Sequence, residues 1–227
     1  VTVNTTGGTP TLALNDGGTA SYSGGSGSTA LTFNYTVAAG QNIADLIVSS
    51  LNLNGATITD GNGNAANLTG AANFNPAGTL QIDTTAPTIA SIVATGAGIS
   101  NGSGNVSTGQ VVTLTVNASE PVTVNTTGGT PTLALNDGGT ASYSGGSGST
   151  ALTFNYTVAA GQNIADLIVS SLNLNGATIT DGNGNAANLT GAANFNPAGT
   201  LQIDTTAPTI ASIVATGAGI SNGSGNV

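Results

Sequence analysis

Leu152-Thr-Phe-Asn-Tyr-Thr-Val158 alternates apolar and polar side chains without a break, the period of a strand with one buried face. Val111-Val-Thr-Leu-Thr-Val116, Leu133-Ala-Leu135 and Leu201-Gln-Ile203 read the same way, and Leu167-Ile-Val169 resumes the pattern. Between these runs stand Asn136-Asp-Gly-Gly139, suited to a turn with positive φ, and Ser144-Gly-Gly-Ser-Gly-Ser149, read as a flexible loop. Helix signals are almost absent, although Gly161-Gln-Asn-Ile-Ala-Asp166 has room for one helical turn. About seven short strands in roughly 120 residues predict an all-β chain of antiparallel sandwich type.

The segment Val1 to Val106 is identical to Val122 to Val227, a period of 121 residues, so the chain holds fewer than two periods. Repetition without drift points to a function that depends on copy number, as in a stalk or lattice, because an active site needs only one good copy. Asp83-Thr-Thr-Ala-Pro87 and its copy Asp204-Thr-Thr-Ala-Pro208 are the most linker-like sites, since proline stops pairing and restricts the residue before it. With boundaries there, residues 83–203 form a complete sandwich. Residues 1–82 form a partial one lacking its first two strands, and residues 204–227 are a linker plus the first strand of the next repeat. The opening VTVNTT has no initiator Met and no signal-peptide pattern, so the chain reads as an excerpt of a longer polypeptide.

The side-chain inventory removes most function classes. Among 227 residues there is no Lys, Arg, His, Cys, Met or Trp, and nine acidic residues set the net charge at −9. A phosphate backbone or an anionic membrane surface is repelled by such a chain, so neither nucleic acid nor membrane is an expected partner. No apolar run approaches the eighteen or so residues that span a bilayer. Without His, Cys or Lys no side chain has an ordinary pKa near neutrality and no thiol or amine nucleophile exists. A paired-carboxylate hydrolase remains chemically conceivable, but its site would be repeated along the chain, and the expectation is no enzyme. With no disulfide to staple the fold, a hard cation is the obvious substitute.

The D-T-x-A-P linker, Ser119-Glu-Pro121, the G-Q-N-x-A-D-L segment and the loop Asp181-Gly-Asn-Gly-Asn185 follow one another within the 121-residue period, and all but Ser119-Glu-Pro121 occur twice. Together they resemble the bacterial immunoglobulin-like tandem repeats of giant type I secreted surface proteins, over the whole chain. The resemblance implies tandem Ig-like sandwiches in an extracellular, calcium-stiffened adhesin or biofilm stalk. Its partners would be neighbouring identical repeats, with any surface or glycan ligand bound by domains outside this sequence.

The acidic residues are few enough to weigh singly. In a seven-strand sandwich the incoming linker, the loop after the second strand and the loop before the last strand share one end, which brings Asp83, Glu120 and Asp181 to one pole. Three carboxylates without a basic neighbour repel one another, and Ca2+ is the cation whose hard, flexible oxygen coordination suits them. Asp181, Asn183 and Asn185 follow the start of a D-x-N-x-N calcium loop, and the first copy repeats it as Asp60, Asn62 and Asn64; the bland alternative is an ordinary Gly/Asn turn. Asp166 is expected in a loop facing the next linker aspartate, Asp204, as a second junction site or as a capping or solvated residue. Asp16 and Asp137 read as turn formers. Tyr143, Phe154, Tyr156 and Phe195 read as core and cross-strand packing, not a sugar platform. Two assemblies fit: a continuous polypeptide of many repeats, or a subunit that forms a filament or S-layer by strand donation.

Overall fold

The computed structural model describes residues 1–214 and 216. These residues are all-β, with short 3₁₀ turns and no α-helix among them. They form two compact units, one made of Val1–Pro87 with Thr180–Ala187, the other of Thr88–Ile179 with the chain from Asn188 onward.

In the first unit the strands are β1 (Thr2–Asn4), β2 (Thr11–Leu14), β3 (Thr19–Gly24), β4 (Thr32–Asn34), β5 (Val48–Asn52) and β6 (Thr57–Thr59), followed by a 3₁₀ turn at Thr69–Ala71. A four-stranded sheet runs β4-β3-β2-β5, and β1 pairs with β6. Every one of these ladders is antiparallel.

The second unit contains β7 (Ile89–Gly96), β8 (Gly104–Val106), β9 (Val111–Asn125), β10 (Thr132–Leu135), β11 (Thr140–Gly145), β12 (Ser149–Thr157) and β13 (Val169–Asn173). These are followed by β14 (Thr178–Thr180), a second 3₁₀ turn at Thr190–Ala192, and β15 (Leu201–Ile203). The main sheet runs β13-β10-β11-β12-β9-β14, with β7 also on β9, while β8 and β15 form a separate parallel pair. The alternation along β12 and β9 decides the core: Leu152, Phe154, Tyr156, Val112, Leu114 and Val116 are all 0 or 1% exposed. Burying each such side chain contributes about 1.5–3 kcal/mol. Tyr143 and Phe154 meet edge to face at 5.6 Å, the cross-strand packing expected of them.

Three local expectations are corrected. Ser119-Glu-Pro121 is not a loop but lies inside the long strand β9, where a bulge forms. Between Ala151 and Ser149 of β12 the partner advances from Asn117 to Val122, and Pro121, which has no N–H to give a ladder, falls in that irregular stretch. Residues 144–149 are not a flexible loop but the end of β11, the start of β12 and a pinned turn at 146–148, because the Ser147 N–H donates to Tyr143 Oη at 3.0 Å and Ser149 Oγ donates to the Gly146 carbonyl at 2.8 Å. Residues 161–166 hold no helical turn: Gly161 has φ 87°, and Ile164 exchanges both backbone hydrogen bonds with Ile203 at 2.9 Å. The strand expected within residues 208–227 is absent from residues 208–214, which are exposed and unpaired; residue 215 and residues 217–227 lie outside the described residues.

The two copies share a sequence but not a fate. Val158 and Leu201 are 1% and 3% exposed, whereas their counterparts Val37 and Leu80 are 42% and 59% exposed. Leu201–Ile203 is a strand because β8 lies beside it, whereas residues 80–82 are held by the Ile43–Ile82 bridge and by the Leu46 N–H on the Leu80 carbonyl at 2.8 Å, without forming a strand.

Candidate metal centre

The loop after β14 is built by an aspartate wrapping its own backbone. Asp181 Oδ1 accepts the N–H groups of Asn183 and Asn185 at 2.9 and 2.8 Å, and Oδ2 accepts the Asn185 amide at 2.7 Å. The backbone closes behind it through the Asp181 N–H to the Asn185 carbonyl, 3.1 Å. Asp181 is 5% exposed, the one buried acidic residue among those described. Burial opposes its ionisation, yet the Asn185 amide and the N–H groups of Asn185, Asn183 and Gly184 outweigh it and hold the carboxyl below the usual carboxylate range.

The linker is held against this loop. Asn183 donates its amide to Asp83 Oδ2 at 3.0 Å, and Asn185 donates to the Asp83 carbonyl at 3.1 Å. Asp83 Oδ1 caps the Thr85 N–H at 2.9 Å, and the Thr84 N–H reaches Asn42 Oδ1 at 2.8 Å. The D-T-T linker and the G-Q-N turn, quoted separately from the sequence, are therefore one hydrogen-bonded structure.

Asp83, Glu120 and Asp181 present carboxylate oxygens that all lie within 4.8 Å of one another, the first two half-buried and the third buried. This donor set fits a hard cation: three carboxylates and their carbonyl neighbours are oxygen ligands of the kind Ca2+ takes, and the chain has no Lys, Arg or His to neutralise them. Asn183 and Asn185 turn amide nitrogens, not oxygens, toward the carboxylates, so in this geometry they orient the acids.

The remaining expected residues are placed differently. Asp60 repeats the Asp181 loop, accepting the N–H groups of Asn62 and Asn64 at 2.8 and 2.9 Å and the Asn64 amide at 2.9 Å. The Asn64 amide leads in holding its carboxyl below the usual range. Asp60 is exposed and joins no group of three acids among the described residues. Both Asp166 oxygens are engaged locally, by the Leu201 N–H and the Asn196 amide, each at 3.0 Å. Asp204 Oδ1 caps the Thr206 N–H at 2.9 Å. Asp166 and Asp204 form no acidic group with a third member among the described residues.

Two roles escaped the sequence reading. Ser119 ties β7 to the bulge, giving its N–H to the Thr88 carbonyl at 2.8 Å and accepting the Thr88 N–H on Oγ at 2.9 Å. Asp137 is a turn former, accepting the Gly139 N–H at 2.8 Å, but it also accepts the hydroxyl of the buried Tyr156 at 2.5 Å. The signal was present, since a tyrosine in phase with a core strand needs a partner for its hydroxyl.

No family model matches the chain, and no curated protein or solved structure matches it. Among the described residues no helix is long and apolar enough to cross a membrane.

Proposed function

We propose that the chain is a structural repeat of an extracellular bacterial surface adhesin or biofilm stalk, built from tandem Ig-like sandwiches and stiffened by calcium at domain junctions. The observation that carries this reading is the convergence of Asp83, Glu120 and Asp181 within 4.8 Å. These residues are far apart in sequence, and one of them belongs to the linker. They would hold the ion, which neutralises their mutual repulsion and restrains the linker. Asn183 and Asn185 would keep the acids in place. Asp60 and Asp204 would contribute to the same kind of site with flanking repeats. The identical repetition and the lack of catalytic side chains support a material, not an enzyme.

The test is thermal unfolding of the whole chain in millimolar calcium and in excess chelator. At a hundredfold excess over Kd, binding to the native state adds about 2.7 kcal/mol, a rise in Tm of about 5–10 °C for a chain of this size. Asp83→Asn and Glu120→Gln should each remove most of that rise. An unchanged Tm with and without calcium sinks the reading.

A further inference from the structure

Asn125-Thr-Thr127 and Asn188-Leu-Thr190 both follow the Asn-x-Ser/Thr pattern, and the fold gives them one geometry. Asn125 ends β9 and Asn188 stands just before the second 3₁₀ turn, both exposed. Asn125 Oδ1 accepts the Thr127 N–H at 3.0 Å and the Thr127 hydroxyl at 2.7 Å. Asn188 Oδ1 accepts the same two groups of Thr190, at 3.1 and 2.7 Å. The earlier copies agree: Thr6 closes on Asn4 at 2.9 and 2.7 Å, and Thr69 on Asn67 at 3.1 and 2.8 Å. The carbonyl oxygen is occupied twice, and the amide nitrogen Nδ2 has no hydrogen-bond partner among the described residues.

Asn-x-Ser/Thr stretches inside strands are engaged differently. The Asn117 amide of Asn117-Ala-Ser119 donates to Ser91 Oγ at 2.9 Å, and Ser119 Oγ receives the Thr88 N–H. Asn155-Tyr-Thr157 lies within β12, paired on both sides, with Asn155 Oδ1 taken by the Thr113 hydroxyl at 3.1 Å and the central Tyr156 1% exposed. In Asn105-Val-Ser107 the central Val106 is 0% exposed and β8 is paired along its length. An enzyme that must surround such a tripeptide reaches none of these three without opening a sheet.

An amide nitrogen is a poor nucleophile because its lone pair is delocalised toward oxygen. It becomes a better one as it sheds a proton, and the negative charge then gathers on Oδ1. At Asn125 and Asn188 two donors already point at that oxygen, the preorganised stabilisation that favours such a step. The reaction that uses an asparagine in this pattern is attachment of a sugar.

We propose that Asn125 and Asn188, with their copies Asn4 and Asn67, are N-glycosylation acceptors in the folded chain. The co-substrate is an activated sugar whose anomeric carbon carries a phosphate leaving group. Nδ2 bonds to that carbon, the carbon–oxygen bond to phosphate breaks with its electron pair leaving on phosphate, and the amide proton passes to a base of the transferase. The fold selects among the sequons, and those it selects lie at the surface, where a secreted chain presents them.

The test incubates the full folded chain with a purified N-glycosyltransferase that reads Asn-x-Ser/Thr, with a uridine diphosphate hexose as donor, and locates the sugar by fragmentation mass spectrometry. Hexose is expected on Asn125 and Asn188 and absent from Asn117 and Asn155, while short peptides spanning the same four sites are modified alike. Asn125→Gln should lose hexose at that site alone, with an unchanged circular dichroism spectrum. A folded chain left bare at Asn125 and Asn188 by an enzyme that modifies the matching peptides overturns the proposal. Equal occupancy of Asn117 or Asn155 in the folded chain overturns the selection by the fold.

Discussion

The Asn185 amide joins Asp83 to Asp181, donating to the carbonyl of the first at 3.1 Å and to Oδ2 of the second at 2.7 Å. One side chain thus ties a linker to a loop about a hundred positions away. Asn185→Ala removes both bonds and leaves a buried carboxylate under-satisfied, at a cost of about 1–3 kcal/mol. Its counterpart Asn64 reaches only the exposed Asp60, so Asn64→Ala should cost less than half as much. Denaturant midpoints of the two variants check this, and equal losses would contradict it.

Acid should destabilise the chain through the same loops. Asp181 and Asp60 have carboxyl pKa values lowered by folding, so their contribution is fully present above the unfolded value near pH 3.9 and is lost as pH falls through the folded values. Stability in chelator is expected to be level above about pH 5 and to drop below about pH 4. Asp181→Asn should flatten that acid limb, and a limb unchanged by the substitution would remove Asp181 as its source.

Tyr156→Phe should cost about 1.5–3 kcal/mol, the range for a hydrogen bond to a charged group, because it leaves Asp137 without its buried donor. Desolvation and the Asp137 carboxylate also push the Tyr156 hydroxyl well above its ordinary value, and burial followed by the Asp16 bond pushes Tyr35 up to about 12. An ultraviolet titration of the intact chain should therefore leave these two tyrosines un-ionised at pH 11. Four tyrosines titrating together near pH 10 would refute the assignment.

The first unit should unfold before the second. It exposes Val37, Phe74 and Leu80, whereas the counterparts of the first and last are buried, and burial is the main favourable term. Hydrogen exchange gives the residue-level check. Amides of residues 80–82 are expected to exchange faster than those of Leu201–Ile203, and indistinguishable protection would show that β8 adds nothing.

Most of the strand pattern was legible because Leu152, Phe154, Tyr156 and Val158 needed only period two to reveal their shared face. The grouping of Asp83, Glu120 and Asp181 was expected from a sandwich with Glu120 in a loop after its second strand, whereas Glu120 reaches the group from inside β9. What could not be read was anything set by a partner distant in sequence. The serine-rich turn looked flexible because nothing local announces that Tyr143 Oη reaches Ser147. Ser-Glu-Pro looked like a loop because proline marks turns and bulges alike, and only pairing on both sides of β9 tells them apart. Leu80-Gln-Ile82 and Leu201-Gln-Ile203 are the clearest case: identical letters, with strand formation decided by β8.

The parallel pairing of β8 with β15 has a mechanical side. β15, ending at Ile203, is the last strand among the described residues, and β8 is reached from the opposite direction along the chain. When tension arrives at the amino end of β8, two parallel strands are drawn past each other, so the three registered pairs Leu201–Gly104, Gln202–Asn105 and Ile203–Val106 must yield together. An antiparallel pair pulled open from one end would instead give way rung by rung. Single-molecule stretching of the chain should show a force peak from this unit that Val106→Pro abolishes, and a peak that persists would place the resistance elsewhere.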